Sequence, residues 1–393
     1  MARKVAIAAA SMTKFGNLID KSLMDLLVEP SEQAINSAKV DRRKISSVYV
    51  SNVLGEISSR QISVATALAD HLGIADVAAE RIENGPASGA SAVRYGYMEI
   101  ASGNADVVLV AGAEKMRTAP TDVVTDLVSM MSHPEEEYPS GATMPALAAI
   151  FARLYMQKYS VKPEHLAMVA VKNHSNAMKN PYAHLRKEIT VEQLLGPGSE
   201  SFNPYVAEPL RLYDASPISD GGAAVLLMDL DTALSYTDKP VLIDGIGEAT
   251  DALALQDRDD PTELRAVRRA AEKAYRMAGI GPERIDVAEL HDAFTVLELA
   301  ISEEVGFFKK GEAKEAVERG ETSINGSKPI NTSGGLKARG HPLGATGLAQ
   351  IVEIFWQLRG EAGERQVRKA EYGLTVNMGG FGSNAVSIVL RRY

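Results

Sequence analysis

One pattern of small residues occurs twice in this 393-residue chain, and it limits the fold more than any other feature. P-A-S-G-A-S-A begins at Pro86, and H-P-L-G-A-T-G begins at His341. Each is a turn of small residues followed by a helix and then a strand, and each stands late in its half of the chain. Two copies of one α/β unit satisfy this order, with helices covering both faces of mostly parallel sheets that carry antiparallel edges. The symmetry sets position 86 opposite position 341, at two helix N-termini facing one cleft. Helix N-termini favour negative charge as it develops.

The His341 copy is the more informative. Gly340 supplies a tight turn, Pro342 suits the first position of a helix, and Gly360 stops the apolar run through Ile351, Ile354, Phe355 and Leu358. The stretch reads as a loop delivering one imidazole to the end of a closely packed helix. Taken alone, it is also compatible with a histidine that merely closes a turn. The second copy favours the cleft.

The rest of the chain follows this plan. Val5 to Ala9 and Val48 to Val53 read as strands, with helical spacing over Ser22 to Ala38 and Gln61 to Leu72. Ala105 to Gly112 is a continuous apolar run, as in a strand buried on both faces. Between Met116 and Pro217 the period-2 runs vanish, and two helices are expected there, Met144 to Tyr159 and Glu164 to Met178. Asp220 to Asp229 resumes the buried-strand character. Strand, helix and strand recur after Pro240, ending in a strand pair across Gly379-Gly380-Phe381-Gly382. The expected division is residues 1–117 with 218–239 as the first half, 118–217 as an inserted domain, and 240–393 as the second half.

Composition removes several functions. A net charge of -9 argues against a general nucleic-acid or anionic-membrane partner. No apolar run reaches membrane-spanning length and the N-terminus lacks a signal peptide, so a cytoplasmic location is expected. There is no cysteine, which excludes disulfides, thiolate metal sites and thiol nucleophiles. His71, His133, His165, His174 and His184 show no ligand spacing, so no metal site is expected.

The residues resemble the thiolase superfamily, most closely archaeal thiolases related to the sterol-carrier type. The resemblance is carried by E-N-G-P-A-S-G-A-S-A (83–92), A-D-V-V-L-V-A-G-A-E-K-M (105–116), S-P-I-S-D-G-G-A-A-V (216–225), H-D-A-F (291–294), N-T-S-G-G-L-K-A-R-G-H-P-L-G-A-T-G (331–347) and N-M-G-G-F-G (377–382). It implies a five-layered α-β-α-β-α core, coenzyme A held within residues 118–217, and homodimers or homotetramers. For archaeal relatives it also implies complexes with a hydroxymethylglutaryl-CoA synthase and a small OB-fold, zinc-ribbon protein.

The resemblance also exposes a departure. Pro86 occupies the position of the nucleophilic cysteine, and proline has neither a thiol nor an N–H for the oxyanion. Ala293 and Asn377 stand where relatives place a second cysteine. Ser88 is displaced along its helix from the nucleophile position. His341, His291 and the turn at Gly379 and Gly380 retain the half of the site that stabilises an enolate oxygen, with Gly379 the expected oxyanion donor. Asp292 either orients this loop or supports the fold. An acyl-CoA enzyme using non-covalent enolate chemistry, by retro-aldol cleavage or decarboxylation, is one expectation. A non-catalytic CoA-binding or scaffold subunit is the other.

Overall fold

The computed structural model describes residues 3–393. In the first half, β1 (Val5–Met12), α1 (Leu23–Ala38), β2 (Ser47–Ser51), α2 (Gly55–Ser58), α3 (Val64–His71), β3 (Ala78–Ile82), α4 (Ser88–Ser102) and β4 (Val107–Glu114) follow in order. The insertion comes next: α5 (Thr121–Ser129), α6 (Met144–Tyr159), α7 (Pro163–Met178), α8 (Val191–Leu195) and the hairpin β5 (Tyr205–Ala207), β6 (Leu210–Arg211). β7 (Gly221–Asp229) and α9 (Leu230–Leu234) complete the first half. The second half runs β8 (Val241–Thr250), α10 (Arg265–Ala278), β9 (Val287–Glu289), α11 (Thr295–Glu304), α12 (Ala313–Glu318), α13 (Gly335–Arg339), α14 (Leu343–Arg359), β10 (Tyr372–Gly379) and β11 (Asn384–Arg392).

Local chemistry sets these boundaries. Ser22 caps α1 by accepting from the Asp25 N–H at 3.1 Å, and the Asp25 carboxylate accepts from the Ser22 N–H in return. Both central helices, α4 and α14, stop at a glycine in the left-handed conformation, Gly103 and Gly360.

Nine strands form one sheet in the order β3-β2-β4-β7-β1-β8-β11-β10-β9. Its middle seam is thin, because β1 meets β8 at only Ala6–Leu242 and Ile7–Val241. Counted outward from that seam, β1-β7-β4-β2-β3 and β8-β11-β10-β9 repeat the same order. The second half lacks a counterpart of β3, and a single parallel bridge from Ala288 to Ile330 stands in its place. The duplication legible in the sequence is therefore real in the strand order. The antiparallel strands, however, are not at the edges. β7 lies between β4 and β1, and β11 between β10 and β8. The tight turn at 380–383 forces β11 to run back against β10, and its apolar run, buried on both faces, then takes β8 on its other side.

Helices α4 and α14 lie between the two half-sheets, α1 and α3 cover the first, and α10, with α11 packed against it, covers the second. This is the expected five-layered arrangement. The insertion helices α6 and α7 share a core with α10, α11 and β10, so a segment inserted in the first half roofs the second. Among the described residues no helix is long and apolar enough to cross a membrane.

The crossing of α4 and α14 depends on glycine. A Cβ at Gly347 would lie 2.2 Å from Asn377 Oδ1 and 2.6 Å from the Ala90 nitrogen. Gly347→Ala is expected to cost about 3 kcal/mol, at the upper end of overpacking penalties. Urea denaturation measures it, and a change under about 0.5 kcal/mol, the scale of a neutral surface substitution, would show that the helices can separate freely.

Candidate active site

Positions 86 and 341 each lie two residues before their helix, α4 and α14. Both line one cavity of about 140 Å³, together with His291, Ala293, Met378 and Gly380. The cleft inferred from the repeat therefore exists. Pro342 is the cap residue of α14 rather than its first helical residue. Pro86 precedes the Ala87 cap of α4.

The His341 loop is held at both ends. Its backbone N–H donates to Ser219 Oγ at 3.3 Å, and the Gly344 N–H donates to the Glu114 carboxylate at 3.1 Å. Glu114 also accepts from the backbone N–H groups of Val53 and Leu54, so one buried carboxylate ties the start of α14 to the end of β2. Burial pushes that carboxyl up to about 7 while these donors oppose the rise. The imidazole Nδ1 of His341 is 2.7 Å from the Thr346 hydroxyl.

His291 follows β9 on a loop fixed from below. The Leu290 N–H donates to Asn331 Oδ1 at 2.8 Å, and Asp292 accepts from the Leu336 N–H at 2.6 Å and from Asn173 Nδ2 at 2.7 Å. Asp292 is wholly buried and does not line the cavity, so it supports the loop rather than the chemistry. The Met378 backbone N–H donates to His291 Nδ1 at 3.4 Å. That ring nitrogen therefore accepts, and the proton of the neutral ring sits on Nε2.

The two rings stand edge to face, with centroids 5.1 Å apart. Burial, then the Arg339 charge, pushes His341 down to about 3. Burial, then His341 and Arg339, holds His291 well below the usual histidine range. Both rings are neutral at pH 7, and neither Nε2 has a hydrogen-bond partner among the described residues.

The remaining expected positions fall as follows. Ser88 is fully buried, with its hydroxyl bonded to the Asn84 N–H and the Gly85 carbonyl, and it does not reach the cavity. Asn377 lies behind His291, its Nδ2 3.3 Å from Nδ1, and is fully buried. Gly379, the expected oxyanion donor, is not itself on the cavity wall, whereas its neighbours Met378, Gly380 and Phe381 are. Among the described residues no three His, Asp or Glu side chains gather as a metal-binding set.

Sequence reasoning missed the cover. Val124 and Val128 of α5, with Met116, Met131 and Met144, close the cavity from the insertion side, and Phe294 and Leu297 face them. The apolar spacing within Thr121–Ser129 was the available signal. It also missed Thr346, Ser219 and Asn331, which orient the histidine loops.

Comparison with known proteins shows the family. Residues 5–231 match the thiolase N-terminal domain and residues 247–392 the thiolase C-terminal domain-like family. An acetyl-CoA acetyltransferase of Methanothermobacter thermautotrophicus is 45% identical over 392 residues, covering 99% of this chain and 100% of the relative. Human sterol carrier protein 2 is 31% identical over 98% of this chain and 72% of its own length. Among solved structures, an Ltp2-ChsH2(DUF35) aldolase superposes with a TM-score of 0.84 at 25% identity, covering 99% of this chain and 97% of its own. Human mitochondrial 3-ketoacyl-CoA thiolase in complex with CoA shares the fold at a TM-score of 0.78, with 22% identity over 100% of this chain and 99% of its own. Matched in both halves along nearly its whole length, the chain belongs to the thiolase family.

Proposed function

We propose that this protein carries out non-covalent carbon–carbon chemistry on acyl-CoA thioesters, with an enolate rather than an acyl-enzyme as its intermediate. The observation that carries the reading is the pairing on one wall: two neutral imidazoles, each with a free Nε2, in a cavity where Pro86 stands at the head of α4. In a retro-aldol step on a 3-hydroxyacyl-CoA, neutral His341 takes the hydroxyl proton and a carbonyl product forms as the Cα–Cβ bond breaks. The bonding pair passes to the thioester as an enolate, whose oxygen receives the hydrogen bond of His291 Nε2–H. The imidazolium then returns its proton to the α-carbon. Donors placed this way act on charge as it develops. The Ltp2-ChsH2(DUF35) aldolase among the structural relatives supports the reading. A second protein as partner and a dimer or tetramer of this chain belong to the same proposal, with CoA held against residues 118–217, of which Met144, Pro145 and Ala215 to Pro217 line the cavity.

The test is exchange of acetyl-CoA α-protons in deuterated water. A base held this far down is weak, so exchange should be slow, yet it should stay flat from pH 8 to pH 5 because His341 remains neutral throughout. His341→Ala should lower it about a hundredfold, the lower end of what a general base contributes. No exchange above background, with CoA still bound, would favour a non-catalytic CoA-binding subunit.

A further inference from the structure

We propose that Thr346 is a positioning residue that makes the two active-site histidines chemically unequal, locking His341 with its proton on Nδ1 and its lone pair on Nε2. The inference rests on the enolate reading, and it adds which nitrogen acts and what enforces it. Thr346 Oγ1 lies 2.9 Å from the Pro342 carbonyl and 2.7 Å from His341 Nδ1. A hydroxyl has one proton to give. Back-bonding to the carbonyl four residues earlier is the usual use of a threonine in a helix, and it leaves only lone pairs facing the ring. Nδ1 must then carry the proton.

The opposite assignment is chemically worse for the cavity. His291 already presents Nε2–H, because the Met378 N–H occupies its Nδ1. If the Thr346 proton went to His341 instead, both rings would turn N–H groups into a cavity that is otherwise mostly apolar. With the assignment proposed, one ring donates and the other accepts. That is what a base and an oxyanion donor require of two rings 5.1 Å apart. It also gives a sequence of roles: His341 becomes an N–H donor only after it has taken the substrate proton, so the second hydrogen bond arrives as the enolate forms.

Thr346 is buried and absent from the cavity wall, so its effect on substrate passes entirely through His341. Among the described residues nothing else holds the Nδ1 edge, since the only other hydrogen bond at His341 there is from its backbone N–H to Ser219.

The test compares Thr346→Val, which keeps the shape and loses the hydroxyl, with Thr346→Ser, which keeps both hydroxyl and reach. The intact protein, labelled with ¹⁵N-histidine, reports each ring's tautomer from its two-bond ¹H–¹⁵N correlations. The native chain and Thr346→Ser should both show His341 as Nδ1–H, with α-proton exchange within about twofold of each other, whereas Thr346→Val should shift the ring to Nε2–H and lose about a hundredfold in exchange, again the lower end for a general base. A native ring already in the Nε2–H form overturns the proposal, as does Thr346→Val retaining Nδ1–H. Loss of exchange in Thr346→Ser equal to that in Thr346→Val would also overturn it. The spectra decide the tautomer even if the native protein exchanges no protons. A failure of the enolate reading is then seen separately from a failure of this one.

Discussion

Replacing Pro86 by cysteine is expected to let the chain form an acyl-enzyme, which the proposed function denies to the native protein. Position 86 lines the same cavity as His341 and stands two residues before α4, where a thiol would meet both a base and a helix N-terminus that favours thiolate. The substitution restores two things together, a nucleophile and a backbone N–H. The thiolate would add to the acetyl-CoA carbonyl, and the CoA thiolate would leave with the proton that His341 had taken. One oxyanion donor alone is worth about a hundredfold to a thousandfold. Pro86→Ala, which regains the N–H without a thiol, separates the two gains. Intact-mass measurement after incubation with acetyl-CoA should show an acetyl adduct on Pro86→Cys and none on the native chain or Pro86→Ala. An adduct on the native chain, whether at a residue of the cleft or at the buried Ser88, would end the non-covalent reading.

Arg339→Met is expected to be the most destabilising single change described here. Arg339 is fully buried, donating from Nη1 to Glu289 at 3.2 Å and to Ser333 at 3.3 Å. Removing one member of a buried pair costs about 3–5 kcal/mol, because the other charge is left without compensation. Burial already raises the Glu289 carboxyl above its ordinary 4.5, and Arg339 is the first influence opposing that rise. Without the arginine, the folded-state value climbs further. A carboxyl raised on folding contributes stability that is complete below its unfolded value and is lost as pH rises through the folded one. The Arg339→Met penalty should therefore be smallest near pH 5 and largest above pH 7. Urea denaturation at both pH values measures it, and adding Glu289→Met should recover most of the loss. A pH-independent penalty would mean that Glu289 is not the group left stranded.

Much of this protein was legible in its residues because the signals are local or periodic. The repeat at Pro86 and His341 announced two α/β units, and the continuous apolar runs of β4 and β7 announced strands buried on both faces. The distinct composition of residues 118–217 announced an insertion. The absence of cysteine needed no coordinates, and the family resemblance alone puts Pro86 at the nucleophile's position. His341 and His291 were nameable for the same reason, since their motifs are contiguous.

What tertiary structure alone decided depends on partners distant in sequence. Whether β7 and β11 lie inside the sheet or at its edge follows from the neighbours they find, here β1 and β8. The cover over the cavity comes from α5, whose short amphipathic pattern says only that one face is buried, not against what. Asp292, ambiguous as a motif residue, is settled as a loop support by the Leu336 N–H, 44 positions away. The protonation of His291 is set by the Met378 N–H, 87 positions away. A sequence states which groups a chain possesses. Which nitrogen holds the proton is set by geometry of a few tenths of an ångström between segments that only the fold brings together.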